Sequence, residues 1–191
     1  MLHAATDRQY KPLAYQTYDR SDKLQSLIAT KRTAFLPVRE TDNTNNSDKL
    51  NKQEADVVIS LIKAILEIYR LNNMAFDTRK TIGVITPYRN QIALIKHKLE
   101  ETEIPELNNI MVDTVERYQG SQRDIIILSF CFNKPYQLRF FSNLNRERTV
   151  DRKLNVALTR AREQLFMIGN DYILNQHPIY REIVNKSVIN P

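Results

Sequence analysis

Asp124-Ile125-Ile126-Ile127-Leu128-Ser129-Phe130-Cys131-Phe132 is apolar at nearly every position. A strand with one face in water alternates apolar and polar residues. An unbroken apolar run instead predicts a strand covered on both faces, as in a parallel sheet. Upstream, Ile110–Thr114 reads as a short strand, Tyr88–Glu101 as a helix and Thr81–Thr86 as a buried strand. Further upstream, Val58, Ile59, Leu61, Ile62, Ile65, Leu66 and Tyr69 recur at helical spacing, predicting a long amphipathic helix over Lys52–Asn73. Arg39–Asn51 is rich in Asn, Asp, Ser and Thr and reads as a loop, and Pro37 places the strand Ala34–Val38 at a sheet edge. Residues 1–33 are polar, with a short helix predicted over Ser21–Ile28.

Downstream, Asn133–Val150 reads as a loop or insertion and Asp151–Arg162 as a helix. Gln164–Ile168 reads as a strand, and Tyr172–Val188 as a helical region broken at Pro178. The alternation of strands and helices predicts an α/β fold with a mostly parallel central sheet. Residues 1–33 are set apart as an N-terminal extension or linker remnant, and residues 34–191 form the domain. In such sheets chemistry sits beyond the carboxyl ends of the strands. Each stretch singled out below borders a strand end.

There are 28 Lys and Arg residues against 22 Asp and Glu, a net charge of +6. That balance permits a polyanionic partner without demanding one. The single cysteine, Cys131, excludes an intramolecular disulfide framework or a cysteine-based zinc site and is expected to be a buried small residue. No metal site is expected. No apolar run is long enough to span a bilayer and Met1–Asp7 is not a signal peptide, so the expectation is a cytoplasmic protein with no membrane partner.

Three stretches are rich in chemistry. In Ile85-Thr86-Pro87-Tyr88-Arg89-Asn90-Gln91 a strand gives way to a helix whose free N–H groups, with the Thr86 hydroxyl and the Arg89 charge, suit a phosphate. Taken alone, a plain strand-to-helix turn, common in α/β folds, is the simpler account of it. Val112–Asp124 gathers Thr114, Glu116, Gln119, Ser121, Gln122 and Arg123 around Gly120, one of only three glycines. Either a polar ligand site or a solvated loop fits. In Arg152–Glu163, Leu154, Ala157, Leu158 and Ala161 form an inward helical face, with Asn155, Thr159 and Arg162 on another and Arg160 between. Arginines there either complement the end of a helix or reach out to a phosphate. The loop bearing Arg139, Arg146, Arg148, Arg152 and Lys153 with Phe140 and Phe141 reads mainly as a solvated basic face.

Together, ITPYRNQ (85–91), VDTVERYQGSQRDIIILS (112–129) and KLNVALTRAREQLFMIGN (153–170) resemble motifs IV, V and VI of superfamily 1 helicases, in that order. The nearest subgroup is the one that includes nonsense-mediated-decay helicases and nuclease-linked replication helicases. The resemblance spans about residues 34–185. It implies the C-terminal RecA-like domain of a superfamily 1B motor, a three-layer P-loop NTPase-type fold. In that family ATP lies between two such domains and single-stranded DNA or RNA crosses their tops. It further implies Arg160 as the catalytic arginine finger, and Gln119, Gly120, Gln122 and Arg162 as nucleotide-binding. Thr86, Tyr88, Arg89, Thr114 and Thr159 would bind nucleic acid. Relatives carry Glu where this chain has Gln122, so a ribose contact there would be made by a neutral amide.

Neither a Walker A nor a Walker B motif is present: none of Gly83, Gly120 and Gly169 precedes a Lys-Ser or Lys-Thr pair. ATP and Mg2+ are therefore expected to be held mainly by an N-terminal RecA-like domain of the same polypeptide, and this chain alone is expected to be inactive as an ATPase. The alternative is a non-catalytic nucleic-acid-binding or scaffold module derived from a helicase half.

Overall fold

A computed structural model of the chain describes residues 13–39, 48–147 and 150–187, apart from the Phe140 side chain. Arg148, Val188, residues 1–12 and most of the Asn-rich stretch, all interpreted above, lie outside the described residues. The elements are α1 (Lys23–Thr30), β1 (Thr33–Pro37), α2 (Lys52–Leu71), β2 (Ile82–Ile85) and α3 (Arg89–Glu100). A short 3-10 helix (Pro105–Asn109) leads to β3 (Met111–Asp113) and β4 (Arg123–Ser129). Then follow α4 (Pro135–Phe141), α5 (Arg152–Leu158), β5 (Ala161–Gly169), α6 (Asp171–Leu174) and α7 (Pro178–Ser187).

The strands form one five-stranded sheet in the order β1-β5-β4-β2-β3, and every pairing is parallel. β4 lies at its centre, as its unbroken apolar run requires, and β1 with Pro37 forms one edge. Alternate residues of each strand feed opposite faces. Ile125, Ile127, Phe166 and Ile168 join the core beneath α1, α2 and α3. Ile126, Leu128, Leu165 and Met167 join the core beneath α4 to α7. The result is the three-layer α/β RecA-like architecture anticipated from the sequence. Cys131 is buried.

Residues 13–33, set apart above on composition, pack against the sheet. The Tyr15 hydroxyl donates to Gln164 Oε1 at 2.8 Å, and Gln164 Nε2 donates to the carbonyls of Ile28 and Lys31, each at 2.7 Å. Leu27 and Ile28 of α1 belong to the core cluster, and Asp22 caps the helix.

Two boundaries differ from the expectation. Asn133–Val150 contains α4, with Pro135 at its first turn and the Gln137 amide oxygen accepting from the Lys134 N–H at 2.8 Å. The helix predicted to reach Arg162 stops at Leu158. The Arg160 carbonyl accepts from the Arg123 N–H at 3.0 Å, and Ala161 pairs with Arg123, so strand pairing captures Ala161–Glu163. Arg160 sits in the turn and Arg162 on β5, so Asn155, Thr159 and Arg162 do not share a helical face.

Candidate nucleotide and nucleic-acid faces

Because all strands run one way, residues before β4 and β5 and residues after β2 and β3 lie at opposite ends of the sheet. Arg123 pairs with Ala161 at the amino end, whereas Ile85 pairs with Leu128 at the carboxyl end. At about 3.3 Å per residue the two ends are roughly 20 Å apart. The three stretches therefore divide. Gln119, Gly120, Gln122, Thr159, Arg160 and Arg162 belong to the amino end, and Thr86, Tyr88, Arg89 and Thr114 to the carboxyl end. Chemistry beyond the carboxyl ends describes only the second group.

From the carboxyl end of β3 the chain leaves Thr114 in a tight turn and runs to the amino end of β4. The Tyr118 N–H donates to the Thr114 carbonyl, and the Ser121 N–H to the Tyr118 carbonyl at 3.0 Å. Gly120 has φ +84° with open space around its α-carbon, a backbone state that favours glycine. Tyr118 is fully buried, donates to the Met111 carbonyl, and lies under the Arg123 guanidinium, 5.8 Å from its ring centre. Burial pushes the Tyr118 hydroxyl well above its ordinary pKa.

Arg160 is half-buried, with Nε donating to the Val156 carbonyl at 3.2 Å and one terminal nitrogen to Thr159 Oγ1 at 3.1 Å. It makes no ion pair among the described residues. Gln122 Nε2 donates to the Thr159 carbonyl at 3.4 Å, which brings the glutamine beside the arginine turn. Gln119 is exposed. Arg162 pairs with Asp124 at 3.4 Å. Thr159, expected on the nucleic-acid side, sits here with its hydroxyl donating to the Val156 carbonyl at 2.9 Å. Uncommitted guanidinium N–H donors and neutral amides are the donor set that a polyphosphate and a ribose would need.

At the carboxyl end Thr86 is buried, and its Oγ1 has no hydrogen-bond partner among the described residues. Thr114 is half-buried and Arg89 is exposed at the start of α3. Tyr88 precedes α3 without capping it by a side chain, so the helix presents free N–H groups. The Tyr88 hydroxyl accepts from Gln137 Nε2 at 3.2 Å, and burial raises its pKa.

Beneath these residues lies a buried polar network that the motif reading missed. Glu54 is fully buried, and its Oε2 accepts from Ser129 Oγ at 2.6 Å and from the Cys131 N–H at 2.9 Å. Cys131 has φ +51°, costly for a non-glycine residue, and the carboxylate holds that turn. Gln91 clasps Asn51, accepting from its N–H at 2.8 Å and donating to its carbonyl at 2.9 Å. Asn51 Nδ2 donates to Asn133 Oδ1 at 2.8 Å. Asn51–Ala55 resembles a flanking element of the superfamily 1 helicases, and its spacing Asn51-x-x-Glu54 is a helix-start pattern in which Asn51 Oδ1 accepts from the Glu54 N–H.

Residues 114–122 run from the carboxyl end to the amino end of the sheet, and α5 packs beside them. Near the start of α5, Lys153 Nζ pairs with Glu116 Oε1 at 3.0 Å and lies 5.5 Å from the Phe141 ring centre. Burial pushes the Glu116 carboxyl up. Its own N–H, the Lys153 ammonium and the Thr114 hydroxyl outweigh that and hold it below the usual range.

A family profile described as "AAA domain" matches residues 3–172. The DNA replication ATP-dependent helicase/nuclease JHS1 of Arabidopsis thaliana is 30% identical over 71% of this chain and 9% of its own length. Regulator of nonsense transcripts 1 of Dictyostelium discoideum is 30% identical over 78% of this chain and 11% of its own. DNA polymerase alpha-associated DNA helicase A of Saccharomyces cerevisiae is 35% identical over 62% of this chain and 16% of its own. The chain thus spans less than a fifth of each of these relatives. With its parallel sheet, the motif order and these matches, the chain belongs to the AAA-domain family and is a superfamily 1 helicase-family domain resembling the nonsense-decay group.

Proposed function

We propose that this chain is the second, C-terminal motor domain of an ATP-dependent DNA or RNA helicase, supplying an arginine finger from one end of its sheet and part of a single-strand groove from the other. The observation that carries the reading is Arg160. Among the described residues its charge is tethered to a carbonyl and a hydroxyl close by in the chain, with no carboxylate to neutralise it. A buried structural arginine would carry an acidic partner; one kept for a phosphate would not.

ATP with Mg2+ supplies the phosphoanhydride bond whose cleavage drives the motor, and both would be held mainly by an N-terminal RecA-like domain of the same polypeptide. This chain's residues bind and orient. Arg160 places positive charge where negative charge develops on the transferring phosphoryl group. Gln119 and Gln122 offer amides to the nucleotide, Gly120 lets the backbone approach closely, and Arg162 adds charge at the same rim. Tyr88, Arg89 and Thr114, above the buried Thr86, face the strand and contact phosphate and sugar rather than base edges, so sequence preference is weak. Closure of the cleft brings the finger in, and its release lets the domains regrip the strand, with the 5′ to 3′ direction that the resemblance implies. The chain alone lacks a phosphate cradle and is inactive as an ATPase.

The test is Arg160→Ala in the full-length protein. Turnover falls by roughly 10³–10⁵, the usual worth of such an arginine, while equilibrium ATP binding largely survives. Unchanged turnover removes Arg160 from this role.

A further inference from the structure

Three of the helices that leave the carboxyl end of the sheet carry a tyrosine at their start. Tyr88 immediately precedes α3, three residues after β2. Tyr136 is the second residue of α4, the helix that follows β4. Tyr172 is the second residue of α6, three residues after β5. Because β5, β4 and β2 are neighbours in that order, the three tyrosines follow one another along one rim. Contacts join them: Gln137, beside Tyr136 in α4, donates to the Tyr88 hydroxyl at 3.2 Å, and α4 packs against α6.

Tyr136 and Tyr172 are the exposed aromatic side chains among the described residues, at 47% and 73%, and both lie at this end. A ring left in water forgoes the gain that burial would bring. The surroundings select what would cover it. Arg89, next to Tyr88, and Lys134, two residues before Tyr136, are exposed cations with no ion pair among the described residues. The acids of the rim are engaged. Asp48 accepts from the Tyr136 hydroxyl at 2.9 Å, Asp113 from the Thr114 N–H at 2.8 Å, and Asp171 is held by Arg39 at 2.7 Å. Separate rings set among cations do not make the contiguous apolar patch that a protein partner would bury. They match a single strand, which offers base faces and phosphates together.

We propose that Tyr136 and Tyr172 are base-stacking residues that carry the single-strand groove across the carboxyl ends of β4 and β5. The inference rests on the motor reading above, in which Tyr88, Arg89 and Thr114 hold phosphate and sugar beyond β2 and β3, and it lengthens that groove by two strands. At about 4.8 Å between neighbouring strands, the rim from β3 to β5 spans roughly 14 Å. Every base has a π face, so stacking raises affinity without adding sequence preference. The bond to Asp48 steadies the Tyr136 ring while leaving it exposed.

The experiment measures equilibrium binding of the full-length protein to oligo-dT, to oligo-U and to a strand of the same length with abasic sites in place of bases. Tyr136→Ala and Tyr172→Ala each weaken binding to both base-bearing strands by at least about fivefold, the low end of what one stacked base contributes. Binding to the abasic strand stays near wild type. The slope of log affinity against log salt is unchanged, because a ring releases no counterions. Tyr136→Phe, which loses the bond to Asp48 but keeps the ring, and Tyr172→Phe bind like wild type. Both positions are exposed, so the variants fold. Unchanged affinity in both alanine variants overturns the stacking role. An equal loss on base-bearing and abasic strands, or a loss in the phenylalanine variants as large as in the alanine ones, overturns it too. In each of these cases an Arg89→Ala variant with a reduced salt slope leaves the motor reading standing. A wild-type protein that binds none of the strands overturns the motor reading itself, and the stacking with it.

Discussion

Gly83 lies mid-strand in β2, and its lack of a side chain is what lets Tyr118 and Arg123 cross the sheet there. A Cβ on Gly83 would meet the Tyr118 hydroxyl at 2.5 Å and Arg123 Cγ at 2.9 Å. Tyr118 is sealed in the core and cannot yield. Gly83→Ala should therefore cost about 1–3 kcal/mol, the usual range for overpacking, read as a lowered urea midpoint at unchanged m-value. Because the closest clash is with the hydroxyl, G83A/Y118F should be less destabilised than the two single changes added together. Strict additivity would locate the strain elsewhere. At this scale the sequence offers candidates where chemistry is local: Thr86, Arg89, Thr114 and Arg160 stand out by motif and charge. The positions that hold them do not. Gln91, Asn133, Gln137 and Glu54 act through partners 40 to 89 residues away, and no local pattern announces such a distant acceptor.

Among the elements, β4 was the most legible, since burial on both faces leaves its mark on every residue. The α5–β5 junction was the least. Ala161-Arg162-Glu163 continues an apolar helical spacing and favours helix by propensity, yet pairing with the amino end of β4 outbids it. A contact made after a long excursion is invisible to a local window. The carboxyl end of β1 offers an element-scale prediction. Arg39 there grips Asp171 at the start of α6 through two hydrogen bonds, of 2.8 and 2.7 Å. The hydrogen-bonded guanidinium, against an opposing push from burial, holds the Asp171 carboxyl below the usual aspartate range. The unfolded chain, with the ordinary value near 3.9, then binds the proton more readily than the folded one. The bond's contribution is complete above that ordinary value and is lost as pH falls through the lowered one. The stability gap between wild type and D171N should be flat from pH 7 to about 5 and shrink below about 4, with a small plateau because Arg39 is largely exposed. A gap that widens on acidification would contradict the assignment.

Taken whole, the molecule is one sheet with two working ends, and the separation itself can be measured. Arg89 opens α3 at the carboxyl end and Arg160 lies at the amino end, roughly 20 Å away along the strands. That exceeds a Debye length of about 8 Å at physiological ionic strength, so neither charge feels a ligand at the other's end directly. In the isolated chain, which has no partner domain to relay the signal through a closing cleft, the two arginines should act independently on strand binding. On the motor reading, in which this chain forms part of a groove, its affinity for a short single-stranded oligonucleotide should be weak and should fall with salt. Each phosphate neutralised in a single strand adds about 0.7 to the slope of log affinity against log salt. Arg89→Ala should reduce that slope by about 0.7 and weaken oligo-dT and oligo-U alike, since a phosphate contact carries no base information. Arg160→Ala should leave both affinity and slope where they were. Were Arg160→Ala to weaken the strand as much as Arg89→Ala, the strand would have to run along the amino end, and the assignment of the two ends would have to be reversed.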